Sequence, residues 1–260
     1  MKYFFAKVLA IVGFVPILYA GNMDYFSITT GQASDMHQKL DAFERGKISL
    51  DDLNEKAGAD GCRILIGYYF LHTNDISTRV KLPVGRCFAG FGIYPEAIKM
   101  AKEYVNIYSN DWRGWRLLGA SYASINASNE AVYAYGNAVK YGDKDSYEPL
   151  AGEAAQSGQL DVVKGILPQL MALKSDRQIS KESRLNLISI LLFYSLKTDQ
   201  KNIFVQTIEG ENMKEMLSHD KVRLNITSGC EFFSGADIDK IKQEMKAAIG
   251  SEETTNNIPQ

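Results

Sequence analysis

From residue 33 onward the apolar positions recur every three or four residues, with little of the two-residue alternation a half-buried strand would show. That spacing puts the apolar side chains on one face of a helix and predicts an all-α chain. Helices are expected over 33–43, 50–57, 62–72, 83–91, 95–108, 112–124, 129–141, 147–156, 160–173, 181–196, 201–208, 214–218 and 237–249. Asn129-Glu130 and Ser180-Lys181-Glu182 offer capping oxygens and early acids, and Gly142 and Gly158 stand where helix-to-helix turns are needed. Residues 251–260 are polar and have no periodic face, so they are expected to be a disordered tail.

The first twenty residues follow a different pattern. Lys2 and Lys7 precede 13 uncharged residues, Val8 to Ala20, and a small Ala20 is followed by Gly21. This layout predicts a secretory signal over 1–20, with an uncleaved anchor as the rival reading, disfavoured because a span of the hydrocarbon core needs about 20 apolar residues. A secreted or periplasmic location is expected, with no stable membrane insertion after cleavage. No cysteine follows the apolar run to carry a lipid. Loss of 1–20 removes two lysines and no acid, which takes the formal charge from −2 to −4.

Within 112–145 the order Trp115, x2, Leu118, Gly119, x2, Tyr122, eight residues, Ala131, x3, Tyr135, x2, Ala138 resembles the signature of the tetratricopeptide repeat. Tyr135 stands for the usual Phe, and Asp143 replaces the closing Pro. Small Gly119 and Ala131 permit close backbones, while Trp115, Leu118, Tyr122, Tyr135 and Ala138 fill the space between repeats. One family period of 34 residues earlier come Val84, Gly85, Phe88, Ala97, Ala101 and Tyr104, with Lys81 in the Trp place. Gly85, Gly90 and Gly92 thin the first helix of that copy, which is expected to be short or frayed unless neighbouring helices hold it. A copy 32 residues later gives Tyr147, Leu150, Ala151, Ala154, Val163, Leu167 and Leu170, and 181–208 reads as a degenerate unit.

The resemblance implies a right-handed superhelix of antiparallel helix pairs over 78–210, with an N-terminal helical cap at 21–77 and C-terminal capping helices at 211–250. It also implies a concave face lined by the first helix of each pair. Carried onto this chain, that face presents Arg113, Arg116, Ala120, Ala123 and Ser124 in the best repeat. The earlier repeat adds Arg79, Leu82, Arg86, Ala89 and Gly90, and the later one Asp145, Glu148, Gly152, Ala155 and Gln156. The expected partner is a protein or peptide segment whose acidic groups dock at the arginines. The Lys and Asn set with which some family members grip a C-terminal carboxylate is absent.

Composition narrows the chemistry. With 29 Lys+Arg against 31 Asp+Glu there is no basic field for nucleic acid. His37, His72 and His219 lack a second ligand at metal spacing, so neither metal nor cofactor is expected. No Gly-x-Ser-x-Gly, His-Glu-x-x-His or phosphate-loop motif occurs, and no catalytic residue is assigned. Asp143-Lys144-Asp145 lacks the glycine and closing Glu of a calcium loop and reads as a turn. Of the three cysteines, Cys62 and Cys87 are the nearest pair, and a disulfide there would pin the Gly-rich segment 84–92 onto the preceding helix. The other reading buries all three as small apolar residues. Cys87 beside Arg86 is a minor candidate for a reactive thiol. Asn126 and Asn225 begin glycosylation-type triplets.

The sequence therefore predicts a non-catalytic exported binding scaffold, an adaptor or assembly factor. One alternative is a periplasmic immunity or inhibitor protein that plugs a toxin or enzyme. The other is the helical domain of a cell-wall enzyme, with Glu148 or Glu153 as its acid.

Overall fold

The computed structural model describes residues 26–49, 53, 58–72 and 76–255, and the side chains of 58, 59 and 250–255 are not described. The expected signal over 1–20, the helix over 50–57 apart from buried Leu53, and the tail beyond 255 lie outside the described residues. The chain divides into two compact units, 1–125 and 126–260. Every regular element among the described residues is helical.

The first unit contains α1 (Thr30–Glu44), α2 (Gly58–Leu71), α3 (Thr78–Gly90), α4 (Tyr94–Ile107) and α5 (Trp112–Ser124). A reciprocal cap starts α1, where the Thr29 hydroxyl accepts from the Gln32 amide and the Gln32 side chain accepts from the Thr29 amide. Each helix packs on the next, α3 also touches α5, and α1 also touches α3. The positions carried by the 34-residue period are buried: Val84, Phe88, Ala97, Ala101 and Tyr104 are 4% exposed or less. Helix α3 is held by its neighbours and runs for 13 residues with Pro83 inside it. Gly85 explains part of this, since a Cβ there would lie 2.9 Å from Leu117 Cδ2 and 3.0 Å from Met100 Cβ. The glycine lets three helices approach closely, and their packing outweighs its poor helix propensity. Cys62 of α2 and Cys87 of α3 are joined by a disulfide with Cα atoms 5.1 Å apart.

The second unit contains α6 (Ser128–Lys140), a 3₁₀ turn (Lys144–Ser146), α7 (Tyr147–Gln156), α8 (Leu160–Gly165), α9 (Leu167–Ser175), α10 (Lys181–Lys197), α11 (Lys201–Ile208), α12 (Met213–Leu217), α13 (Asp220–Phe232) and α14 (Ala236–Thr255). The single helix expected over 160–173 is broken at Ile166, because Pro168 enters the first turn of α9 and cannot continue the ladder from α8. The last helix continues past Ile249 to Thr255, so the first five residues of the expected tail are helical. Helix α7 packs on α10 and α10 on α13, giving a row of three, and α11 lies against α10. Leu185, Ile188, Leu192, Phe204, Ile208, Val222, Ile226 and Cys230 form the core between them, joined by Met216, Ile238 and Ile241. Lys174 is buried but fully engaged. Its ammonium pairs with Glu211 at 3.2 Å and donates to the carbonyls of Gln206 and Thr207, tying α9 to the end of α11.

One turn recurs. Gly92, Asn126, Gly158 and Asp199, after α3, α5, α7 and α10, all have φ between 55° and 75°. After α3, α7 and α10 the following amide donates back to the carbonyl five residues earlier: Ile93 to Phe88, Gln159 to Ala154, and Gln200 to Ser195. This closes the helix with a left-handed residue and satisfies its last carbonyls. The first three turn residues follow one another at 34 and 32 residues. At the place of the family's proline, Asp143 accepts from the Ser146 hydroxyl at 2.5 Å, and this buried pair fixes the turn into α7.

Candidate functional site

A groove of about 490 Å³ runs along the row α7, α10, α13 of the second unit. Each helix contributes one stripe, because residues three and four apart share a face. From α7 come Glu148, Gly152, Glu153, Ala155 and Gln156; from α10, Asn186, Ser189, Ile190 and Phe193; from α13, Lys221, Leu224 and Asn225. Gly152 keeps α7 open toward α10, since a Cβ there would only touch Ile190 Cδ1 at 3.8 Å. Leu224 is 66% exposed, while Ile190 and Phe193 are half-buried.

Polar contacts fix the walls. The Asn186 amide donates to Glu148 Oε1 at 3.2 Å, and the Asn225 amide donates to the Ser189 carbonyl at 3.1 Å. That second contact occupies the very nitrogen a glycan would need, whereas Asn126 is exposed on its turn. Glu153 Oε2 is buried and accepts no hydrogen bond, as is Glu96 Oε2 in the first unit.

Of the residues placed on the concave face by resemblance, Glu148, Gly152, Ala155 and Gln156 do line this groove. Asp145 does not; it is exposed on the 3₁₀ turn before α7. Arg79, Leu82 and Arg113 line a smaller cavity of about 290 Å³ in the first unit, with Phe43, Lys47 and Tyr104. Leu82 is core rather than groove surface, only 1% exposed. Arg86 and Ser124 are exposed, and the Ser124 hydroxyl donates to the Ala120 carbonyl within its own helix.

The arginine end differs from the open face the sequence suggested. Arg113 is bound to Asp111, with Nε 2.9 Å from Oδ1 and Nη2 2.6 Å from Oδ2. Arg116 stacks over Trp112 at 4.9 Å, and Arg79 lies over Phe43 at 5.2 Å while donating to the Glu44 carbonyl. At Arg113 an acidic partner would have to compete with Asp111. Of the repeat-packing residues, Leu118, Gly119, Ala131, Tyr135 and Ala138 are buried. Trp115 and Tyr122 are half-buried, with the Trp115 indole donating to the Ser109 carbonyl.

Asp111 also accepts from the Tyr104 hydroxyl at 2.6 Å and from the Arg113 amide, capping α5. Burial pushes its carboxyl up, but the bonds from Arg113 and Tyr104 outweigh burial and hold it below the ordinary carboxylate value. Tyr104 is pushed far up by burial and by its bond to Asp111. The depressed carboxyl makes Asp111 stabilising above its unfolded pKa of about 3.9, and that contribution fades as pH falls through the lower folded value. Asp111→Ala is expected to cost about 1–2 kcal/mol in urea unfolding at pH 7 and progressively less below about pH 4. A difference that stays constant down to pH 2 would contradict this role.

The remaining chemistry is structural. His37 Nδ1 lies 2.7 Å from the Tyr68 hydroxyl, His72 stacks on Tyr68 at 4.3 Å, and His219 caps α13 by accepting from the Val222 amide. Cys87 is bonded to Cys62, so it is not the free thiol considered beside Arg86, while Cys230 is buried against Met245 and its thiol is pushed up by burial. Among the described residues no cluster of His, Cys, Asp or Glu could hold a metal, and no helix is long and apolar enough to cross a membrane. The α10 and α13 stripes had no readable signature. Asn186, Ser189, Ile190 and Phe193 nevertheless show the spacing of one face of a helix, set beside the buried Leu191 and Leu192. Comparison of the sequence with models of known families and with curated proteins returned no match.

Proposed function

We propose that the chain is an exported scaffold of tetratricopeptide type, built as a superhelix of helix pairs, that holds a segment of another protein in the α7, α10, α13 groove. It acts by recognition, as an adaptor or assembly factor. The observation that carries this reading is the groove itself: exposed Leu224 and half-buried Ile190 and Phe193, bordered by acids, a lysine and amides, in a volume within the usual ~300–1,000 Å³ of ligand sites. The recurring left-handed turn and the row of first helices support the repeat architecture. The Cys62–Cys87 disulfide supports an oxidising compartment, in keeping with the signal-like start.

The test is capture from the source's exported fraction with the native chain, a groove-blocked Gly152→Gln, Leu224→Glu variant, and an Arg113→Glu, Arg116→Glu variant. The native chain and the arginine variant are expected to retain the same partner, and the groove-blocked variant to lose it at least tenfold. Retention by a folded groove-blocked chain would refute the assignment. If the partner is a toxin or enzyme whose activity falls on binding, the immunity or inhibitor reading replaces the adaptor. The orphan oxygen of Glu153 is the one feature that favours the cell-wall enzyme. That reading requires turnover of peptidoglycan by the native chain and its loss in Glu153→Gln.

A further inference from the structure

We infer that the groove takes a peptide segment whose lysine or arginine lies against Glu148 and Glu153 and whose neighbouring apolar side chain covers Ile190, Phe193 and Leu224; this rests on the groove reading above. The partner's charge is thus opposite to the one the arginine positions suggested.

The argument is one of complementarity. Both carboxylates stand on α7, and neither has an ion pair among the described residues. Glu148 has only the neutral Asn186 amide as donor, and Glu153 Oε2 is buried without any. A buried carboxylate oxygen with no donor is a costly arrangement, and a cationic N–H supplies the strongest hydrogen bond available to it. The groove's own cation, Lys221, is on the α13 wall and has no carboxylate partner there. It leaves the α7 wall negative and the α13 wall positive. Between the two walls lie Ile190 and Phe193 of α10, and Leu224 stands beside them on the α13 wall, together a surface that gains by being covered. A basic residue followed by an apolar one matches that order across the groove. An acidic segment fits poorly, because it would meet two uncompensated carboxylates at α7. The arginines of the first unit do not compete for this assignment, as Arg113, Arg116 and Arg79 already have partners there.

The experiment is selection of displayed random dodecapeptides on the full chain, followed by fluorescence anisotropy with the selected peptides. Selected sequences are expected to carry Lys or Arg beside an apolar residue. Glu148→Gln with Glu153→Gln is expected to weaken them at least tenfold while leaving helicity unchanged, and Arg113→Glu with Arg116→Glu to change affinity less than twofold. Peptides that are acidic or neutral, lost on the groove-blocked variant but unaffected by the glutamine pair, would overturn the charge assignment and leave the groove reading standing. Absence of any groove-dependent peptide would overturn both. Self-association abolished by the groove-blocking changes would place a second copy in the groove, and competition by a peptide of residues 251–260 would place the chain's own terminus there; either contradicts a basic partner.

Discussion

Gly229→Ala is expected to destabilise the second unit by about 3 kcal/mol, the upper end of what overpacking a core does. A Cβ at this position of α13 would overlap Cε2 and Cζ of Phe204. Phe204 cannot move aside, for it is fully buried among Leu185, Ile188, Leu192, Ile208 and Val222 and packs on Phe233 with ring centres 5.3 Å apart. The added methyl must therefore push α13 away from α11 or force the ring off its rotamer. Gly136→Ala in α6 is the matched control: nothing lies within 4 Å of its Cβ, so only helix propensity changes, and stability should rise by up to about 1 kcal/mol. Thermal unfolding of the two variants separates the effects. Equal shifts would mean that the α11 to α13 contact is not the tight one described.

Replacing Cys62 and Cys87 together by alanine is expected to cost the first unit about 3 kcal/mol, close to the effect of reduction. The bridge closes a loop of 25 residues, and the chain-entropy model assigns a loop of that order about 3 kcal/mol. The loss should be confined to the first unit, because both cysteines lie in α2 and α3. Chemical denaturation of the oxidised, reduced and double-alanine chains measures it. A reduced chain as stable as the oxidised one would show that the packing of α2 on α3, through Phe70 and Tyr69 against Phe88, suffices without the bond.

How much of this was legible depends on what kind of physics placed each residue. Most of the helices were, because the buried positions of α3, α4 and α7 follow helical spacing directly, and Val84, Ala97, Ala101, Leu150, Ala151 and Ala154 are all nearly inaccessible; α13 was not, for the expected helices leave 219–236 without one. The break at Pro168 and the uninterrupted α3 through Pro83 were misjudged in opposite directions. A proline in the first turn of a helix lacks an amide that would be unpaired anyway, whereas one inside costs a bond that tertiary packing must offset. The left-handed turn was legible at Gly158, but its recurrence was not, since its residue changes from Gly to Asn to Asp and only the conformation recurs. For the groove, Glu148 and Gln156 were readable from the repeat phase. Phe193, Leu224 and Lys221 were not, because α10 and α13 keep the row without keeping the signature. The contacts of the arginines were not legible for a different reason: sequence phase gives the face a side chain leaves from, not the Asp111 or Trp112 that meets it.

The central claim is that another protein's segment lies in the α7, α10, α13 groove. It is tested most directly by a photo-crosslinking residue placed at Gln156, at Leu224, and at Tyr133, which is 66% exposed on α6 and lines no part of the groove. Expressed in the source and irradiated, the chains labelled at Gln156 and Leu224 are predicted to form an adduct with the same second protein, and the chain labelled at Tyr133 to form none. Adducts at Tyr133 with none at Gln156 or Leu224 would contradict the account.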